Sequence, residues 1–348
     1  MQISHYETNL LSAPFQDYLN VGVNPNDYID LPSGQGGHKW KSIQVYNFTL
    51  DDTGNMTIIQ GDHVATYEQV LALLNRWIDA GYNCILEAGL SNWLNVSEPA
   101  LTAFMLKLNQ DLHGQIIWVA QNEINGSWNQ QLYGFSTWPP TQDEINRLNA
   151  FGQTVRRIRD TNRLTKIRLS FQPNHDISGV EYQFAIDLMK SCMDAGDFYS
   201  LSSYWSSGIE TQNYFDDADN LIDYMLNGTA GRYPGQFGGY ANGYSGKTWL
   251  LAELGHKEFM EVNPREWTQR ILANLKAKAP FVKLVIFWGA QDFAALRDLA
   301  PLYETSENIL TTAPPITGGI GAIVGGVVIV VTLIGVAAAI LGGGGRRG

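Results

Sequence analysis

Charge is scarce in this chain. Asp, Glu, Lys and Arg make up 16% of its 348 residues, and the balance is acidic, at −11. No run of Lys or Arg could track a phosphate backbone, so no nucleic-acid partner is expected. Cysteine is nearly missing. Cys84 falls in an expected strand and Cys192 in an expected helix, which points to two buried free thiols rather than a disulfide. The six His are scattered singly without HExxH spacing, and neither Cys has metal-ligand spacing, so no metal is expected and no organic cofactor is implied. Met1 to Thr8 carries no basic n-region or apolar h-region, hence no expected signal peptide.

Apolar and aromatic residues are plentiful. At 45% hydrophobic and 11% aromatic, the chain can build one large core of barrel size with room for extensions. Ten Trp and sixteen Tyr suit a protein that stacks against sugars, although most aromatics fill cores. Asn-x-Ser/Thr sequons stand at Asn47, Asn55, Asn95, Asn125 and Asn227, a weak lean towards an extracellular life.

Three apolar runs end in a telling way. Ile116 to Ala120 reads as a strand buried on both faces, and Gln121, Asn122, Glu123, Asn125 and Trp128 follow at once. Lys247 to Glu253 is another apolar strand ending in a carboxylate. Val282 to Trp288 ends in an aromatic. Amides and a carboxylate hold hydroxyls, and an indole stacks on the apolar face of a sugar ring. Parallel strands ending this way, with helices between them, predict a (β/α)₈ TIM barrel with its site at the strand C-termini.

In chain order, Tyr18–Val23 reads as a first strand and residues 24–40 as a loop. Ser42–Leu50 is a strand with a hairpin partner at Met56–Gln60. Thr66 and Gln69 form a capping box for a helix closed by Gly81. Asn83–Glu87 is a strand ending in a third carboxylate at the mouth. A helix carrying Leu101 and Leu108 leads to the strand ending at Gln121, and Thr141 with Glu144 starts the next helix. Lys166–Phe171 is a strand running into Gln172-Pro-Asn174. A helix is expected from about Val180 to Ala195, then the strand Phe198–Ser203 with Tyr204 and Trp205 at its end. A helix over Asp217–Leu226, a Gly- and Tyr-rich loop over 227–246, a helix begun by Pro264 and a short last helix near Ala294 complete the ring.

Beyond Leu310 the composition breaks. Residues 311–319 read as a linker, which leaves 1–310 as the barrel domain. Residues 320–341 form an apolar stretch long enough to cross a membrane as a transmembrane helix, and 342–348 are a short basic tail. Arg346 and Arg347 would lie on the cytoplasmic side, so the barrel is expected outside, anchored on a cell or virion surface. Gly321 and Gly325 form a small-xxx-small face, so self-association through the tail is also open.

Four segments together resemble retaining glycoside hydrolases of clan A, and most closely family 26, the β-mannanase family. Glu123-Ile-Asn-Gly-Ser-Trp128 is similar to that family's acid/base segment. Arg168 to Asn174 resembles its next strand, which ends in Pro-Asn. Gly196 to Tyr204 resembles the strand supplying a Tyr to the nucleophile, and Ala252-Glu253-Leu-Gly255 resembles the nucleophile segment. Asn122 departs from the family's usual His and follows the wider clan.

The resemblance implies Glu253 as nucleophile and Glu123 as acid/base, cleaving a β-linked polysaccharide of mannan or glucan type with retention. It gives Asn122 the sugar 2-OH, Tyr204 the orientation of Glu253, and Trp288 the floor of the central subsite. Trp128 and Trp205 are candidates for flanking subsites. Asn174 joins the substrate-binding set, and Glu87 is either a hydroxyl ligand or a solvated residue. A catalytically silent glycan-binding barrel and a structural surface protein are the alternatives.

Overall fold

The computed structural model of the chain describes residues 2–5, 8–9, 40–60, 63–176, 183–205, 214–228, 237–256, 264–288, 299, 302–303 and 308–312. Its strands are β1 (Gln2–His5), β2 (Thr8–Asn9), β3 (Trp40–Leu50), β4 (Met56–Gln60), β5 (His63–Thr66), β6 (Asn83–Leu90), β7 (Ile116–Asn122), β8 (Ile167–Gln172), β9 (Asn174–Asp176), β10 (Tyr199–Trp205), β11 (Trp249–His256) and β12 (Val282–Trp288). Helices α1 (Tyr67–Asp79), α2 (Glu98–Asp111), α3 (Gln142–Thr161), α4 (Lys190–Ala195), α5 (Tyr214–Asn227) and α6 (Pro264–Lys278) alternate with the later strands, and α7 (Ile309–Thr312) follows.

The strands form two sheets. One runs β1-β12-β11-β10-β9 and is parallel throughout. The other runs β5-β4-β3-β6-β7-β8, parallel from β3 onward, with the antiparallel β4 and β5 at its edge and β2 beside β3. The sheets meet where β8 gives way to β9 across Pro173, a residue with no N–H for a ladder. At their other margins β1 lies beside β3.

Local chemistry sets the helix starts. The Thr66 hydroxyl accepts from Gln69 N at 3.3 Å, while Gln69 Oε1 accepts from Thr66 N at 2.8 Å. Thr141 and Glu144 repeat this exchange at the head of α3. Each box satisfies two N–H groups that the first helical turn leaves over. Gly81, at φ 88°, turns the chain out of α1 into β6, a conformation costly for residues with a Cβ.

Alternation sorts the strand side chains into two cores. Trp40, Ile85, Ile117, Val119, Leu250, Leu284 and Ile286 form an inner cluster with Phe198, and Ile309 and Leu310 of α7 join it. The residues between them, among them Leu86, Trp118, Leu169 and Leu251, pack outward against the helices. Both thiols, Cys84 and Cys192, are free and buried as expected.

Four expectations are corrected. β6 does not end at Glu87 but runs on to Leu90, because Gly89 and Leu90 still pair with Asn47 and Phe48. β11 likewise continues past Glu253 to His256. The helix expected over Val180–Ala195 is shorter: a 3₁₀ turn at Ile186–Met189 precedes α4, and Gln183 bridges to Gly126 instead. A strand at Gln2–His5 pairs with β12, which the sequence did not lead us to expect. The strand expected at Tyr18–Val23, the helix near Ala294 and the stretch 320–341 lie outside the described residues. Among the described residues no helix is long and apolar enough to cross a membrane.

Candidate active site

The site begins with a misfit in pairing. Along β7 and β8, Val119 pairs with Ser170, but the next pair is Asn122 with Gln172, so β7 carries one extra residue there. β11 does the same: Leu201 pairs with Leu251, then Ser202 with Glu253, leaving Ala252 over. Such bulges re-aim a strand end and are enriched beside active sites. Here they fall immediately before Glu123 and Glu253.

Glu123 follows β7 with φ at 50°, the left-handed region that costs a non-glycine residue about 1–2 kcal/mol. Its surroundings hold it there. Its N–H donates to Gln172 O at 2.6 Å, and its carbonyl accepts from Gly126 N at 3.1 Å and Asn129 Nδ2 at 2.9 Å.

Among the described residues, three donors from three segments meet the Glu123 carboxylate. Oε1 accepts from Asn174 Nδ2 and, at 2.9 Å, from Ser202 Oγ; Oε2 accepts from Trp128 Nε1 at 3.2 Å. Asn174 is fixed in turn. Its Oδ1 accepts from Gln183 Nε2 at 2.8 Å, and its backbone N–H and C=O both bond the side-chain amide of Asn125. Asn174, Asn125 and Ser202 are buried, whereas Trp128 is 46% exposed.

A second relay fixes Asn122. Its Oδ1 accepts from Gln172 Nε2 at 2.9 Å, and Gln172 Oε1 accepts from Ser200 Oγ at 3.0 Å. The amide oxygen is thus committed, which fixes the direction in which the NH₂ group is presented. The Tyr133 hydroxyl donates to Asn122 O at 2.7 Å and accepts from Asn122 N at 3.2 Å. Burial pushes the Tyr133 phenol well up and the Glu123 charge adds to that, against the Asn122 contact, so the hydroxyl keeps its proton and stays a donor.

The structure therefore brings Glu123, Asn122, Asn174 and Trp128 together. Glu87 pairs with Val119, four residues before Glu123, and is wholly buried on a strand that runs on to Leu90, so it is neither a strand-end group nor a solvated one. Glu253 is brought in by its backbone as the ladder partner of Ser202. Tyr204 and Trp288 both pair with Gly255, and Trp205 with His256. The side chains of Glu253, Tyr204, Trp205 and Trp288 lie outside the described part of the structure.

Sequence reasoning missed Ser202, Gln172, Gln183 and Tyr133. Ser200 and Ser202, alternating along a strand that also carries Ser203, were the available signal for the first. Gln183 had none, since it fell within an expected helix. Among the described residues no group of three or more His, Cys, Asp or Glu could hold a metal ion.

No protein-family model and no curated protein matches the chain. Solved structures do. The fold is similar to that of the catalytic domain of the family 26 endo-β-1,4-mannanase from Bacillus sp. JAMB-750, at 13% identity and a TM-score of 0.51, covering 92% of this chain and 88% of that one. It is also similar to a family 26 β-mannanase from Bacteroides ovatus, at 10% identity and a TM-score of 0.50, covering 85% and 82%. At these identities the likeness is one of fold. The resemblance read from the strand ends is thereby met at that level: the chain has the α/β fold of clan A mannanases.

Proposed function

We propose that the chain is a retaining glycoside hydrolase of a β-linked polysaccharide, mannan or glucan in type, built on a closed (β/α)₈ barrel. One observation carries the reading. Ser202 gives its hydroxyl to Glu123 and pairs in the β10–β11 ladder with Glu253. Two carboxylate-bearing residues thus flank one serine, one just past the end of β7 and the other in the C-terminal half of β11, the side on which enzymes of this architecture do their chemistry. The two similar structures, both described as mannanases, favour mannan.

In this reading Glu253 attacks the anomeric carbon while Glu123 gives its proton to the departing glycosidic oxygen. A water molecule, deprotonated by Glu123, then releases the sugar from Glu253. That two-step course needs the carboxyl groups about 5–5.5 Å apart. Asn122, with its oxygen tied to Gln172, offers N–H to the sugar 2-OH. Tyr204 orients Glu253, Trp288 floors the central subsite, and Trp128 and Trp205 flank it. Residues 320–341 anchor the barrel in a membrane, a proposal resting on their uncharged apolar run and the Arg pair beyond it.

A reducing-sugar assay over mannan, mixed-linkage glucan, cellulose and xylan tests the reading, with proton NMR for the anomer first released. Hydrolysis with retention is expected. Glu253→Ala should abolish it, and Glu123→Ala should lose on the order of 10²-fold or more on polysaccharide, with azide restoring turnover of an activated aryl glycoside. Binding without hydrolysis would instead identify a silent barrel.

A further inference from the structure

The two oxygens of Glu123 are held differently. Oε1 receives Asn174 Nδ2 and Ser202 Oγ, from residues 1% and 0% exposed, on strands β9 and β10. Oε2 receives Trp128 Nε1 at 3.2 Å, from a residue 46% exposed in a 3₁₀ turn over Ser127–Asn129. The indole can adopt this pose because residue 126 is glycine: a Cβ there would lie 2.3 Å from the ring atom Cζ2. Gly126 has an ordinary extended backbone, so its lack of a side chain serves the approach of the ring and not the turn.

Resting on the glycosidase reading, we propose that Trp128 covers Oε2 of Glu123 in the sugar-free protein and is displaced by the leaving-group sugar. Oε1 is committed to two buried donors, which leaves Oε2 to deliver the proton. The proton passes from Oε2 to the glycosidic oxygen as the bond from that oxygen to the anomeric carbon breaks, and the leaving sugar departs as an alcohol. The indole N–H stands on the same oxygen, in the place that the glycosidic oxygen must take. Removal of the indole by the incoming sugar ring therefore arms the acid only when a leaving group is seated, and the freed ring becomes that sugar's stacking face. Trp128 is in this sense a positioning residue for Glu123.

The test uses the full chain carrying Glu253→Ala, so that bound sugar persists, with β-1,4-mannohexaose and cellohexaose as probes. A crystal structure of the complex is expected to show Trp128 Nε1 beyond hydrogen-bond distance of Glu123 Oε2 and the indole against a sugar ring. An indole still on Oε2 with the oligosaccharide bound across the site would overturn the proposal and leave the glycosidase reading standing. No binding of either probe, with no hydrolysis of the panel by the wild-type chain, would remove both. A second variant works without sugar. Gly126→Ala pushes the ring off Oε2, so its tryptophan emission should move towards that of the liganded protein; an unchanged spectrum counts against the idea. In the otherwise wild-type chain, Trp128→Phe keeps an aromatic face and loses the N–H. Its kcat/KM ratio, polysaccharide over dinitrophenyl glycoside, should rise severalfold, since only the former must displace the N–H to receive the proton. An unchanged ratio would refute the covering role.

Discussion

Asn125 and Asn174 are joined by two hydrogen bonds, from Asn125 Nδ2 to Asn174 O at 2.9 Å and from Asn174 N to Asn125 Oδ1 at 2.6 Å. A side-chain amide here takes the place of a neighbouring strand. The pair fixes the backbone of Asn174 while its side chain reaches Glu123. Asn125→Ala leaves a buried N–H and a buried C=O without these partners, at about 1–3 kcal/mol each. We expect a loss of about 2–6 kcal/mol in urea unfolding, and a fall in turnover larger than any rise in KM.

The same geometry sorts the sequons. Asn125 is 0% exposed and Asn47 is 6% exposed, whereas Asn55, Asn95 and Asn227 are exposed. Expressed in a glycosylating host, the folded protein should carry glycan on peptides containing Asn55, Asn95 or Asn227 and none on Asn125. Mass spectrometry of tryptic peptides checks this; a glycan on Asn125 in active protein would contradict the site as described.

Glu144 makes stability depend on acid. Burial alone would push its carboxyl up, but N–H groups of Ser136 and Thr141 and the Thr141 hydroxyl outweigh that and hold it at about 2. The folded value lies below the unfolded one, about 4.5, so the contribution is complete above that pH and is lost as pH falls towards 2. Glu144→Gln should cost about 1 kcal/mol at neutral pH, in the range of a lost cap, and flatten the decline in Tm between pH 4.5 and 2.

A buried ion pair ties α3 to the start of β10. Arg159 Nη1 donates to Asp197 Oδ2, which also accepts from Leu169 N at 2.8 Å; the two side chains are 1% and 8% exposed. Asp197→Ala leaves Arg159 with Asp160 alone and the Leu169 N–H without its acceptor, and a loss of about 1–3 kcal/mol in urea unfolding is expected. Replacing both partners, as Arg159→Met with Asp197→Leu, should cost less than the single change.

Much of this was legible in the sequence where the cause is local. Thr66 with Gln69 and Thr141 with Glu144 announced their helices, because a capping box is complete within four residues. β12 was bounded correctly by its apolar run alone. What escaped depends on partners distant in sequence. Gln2–His5 is too short and polar to look like a strand until β12 pairs with it. Glu87 looked terminal because the pairing of Gly89 with Asn47 is a tertiary fact. The bulges at Ala252 and before Asn122 leave no mark in composition, yet they decide which residue Ser202 and Gln172 face. Around Glu123, the acid and its indole could be named in advance; the serine and glutamine that steady it could not.

The seam at Pro173 has a mechanical consequence. Glu123 follows β7 in one sheet and Glu253 lies on β11 in the other, and the backbone joins them across the seam by the Glu123 N–H on Gln172 O and the Ser202 N–H on Pro173 O. The gap between the two acids is therefore set at that proline, like the opening of a pair of pliers at its pivot. Ser202, with its N–H on Pro173 and its hydroxyl on Glu123, pins the jaw on both sides. Ser202→Ala would leave both sheets intact while widening the spread of jaw openings, so the loss should appear in the temperature dependence of turnover before it appears in melting.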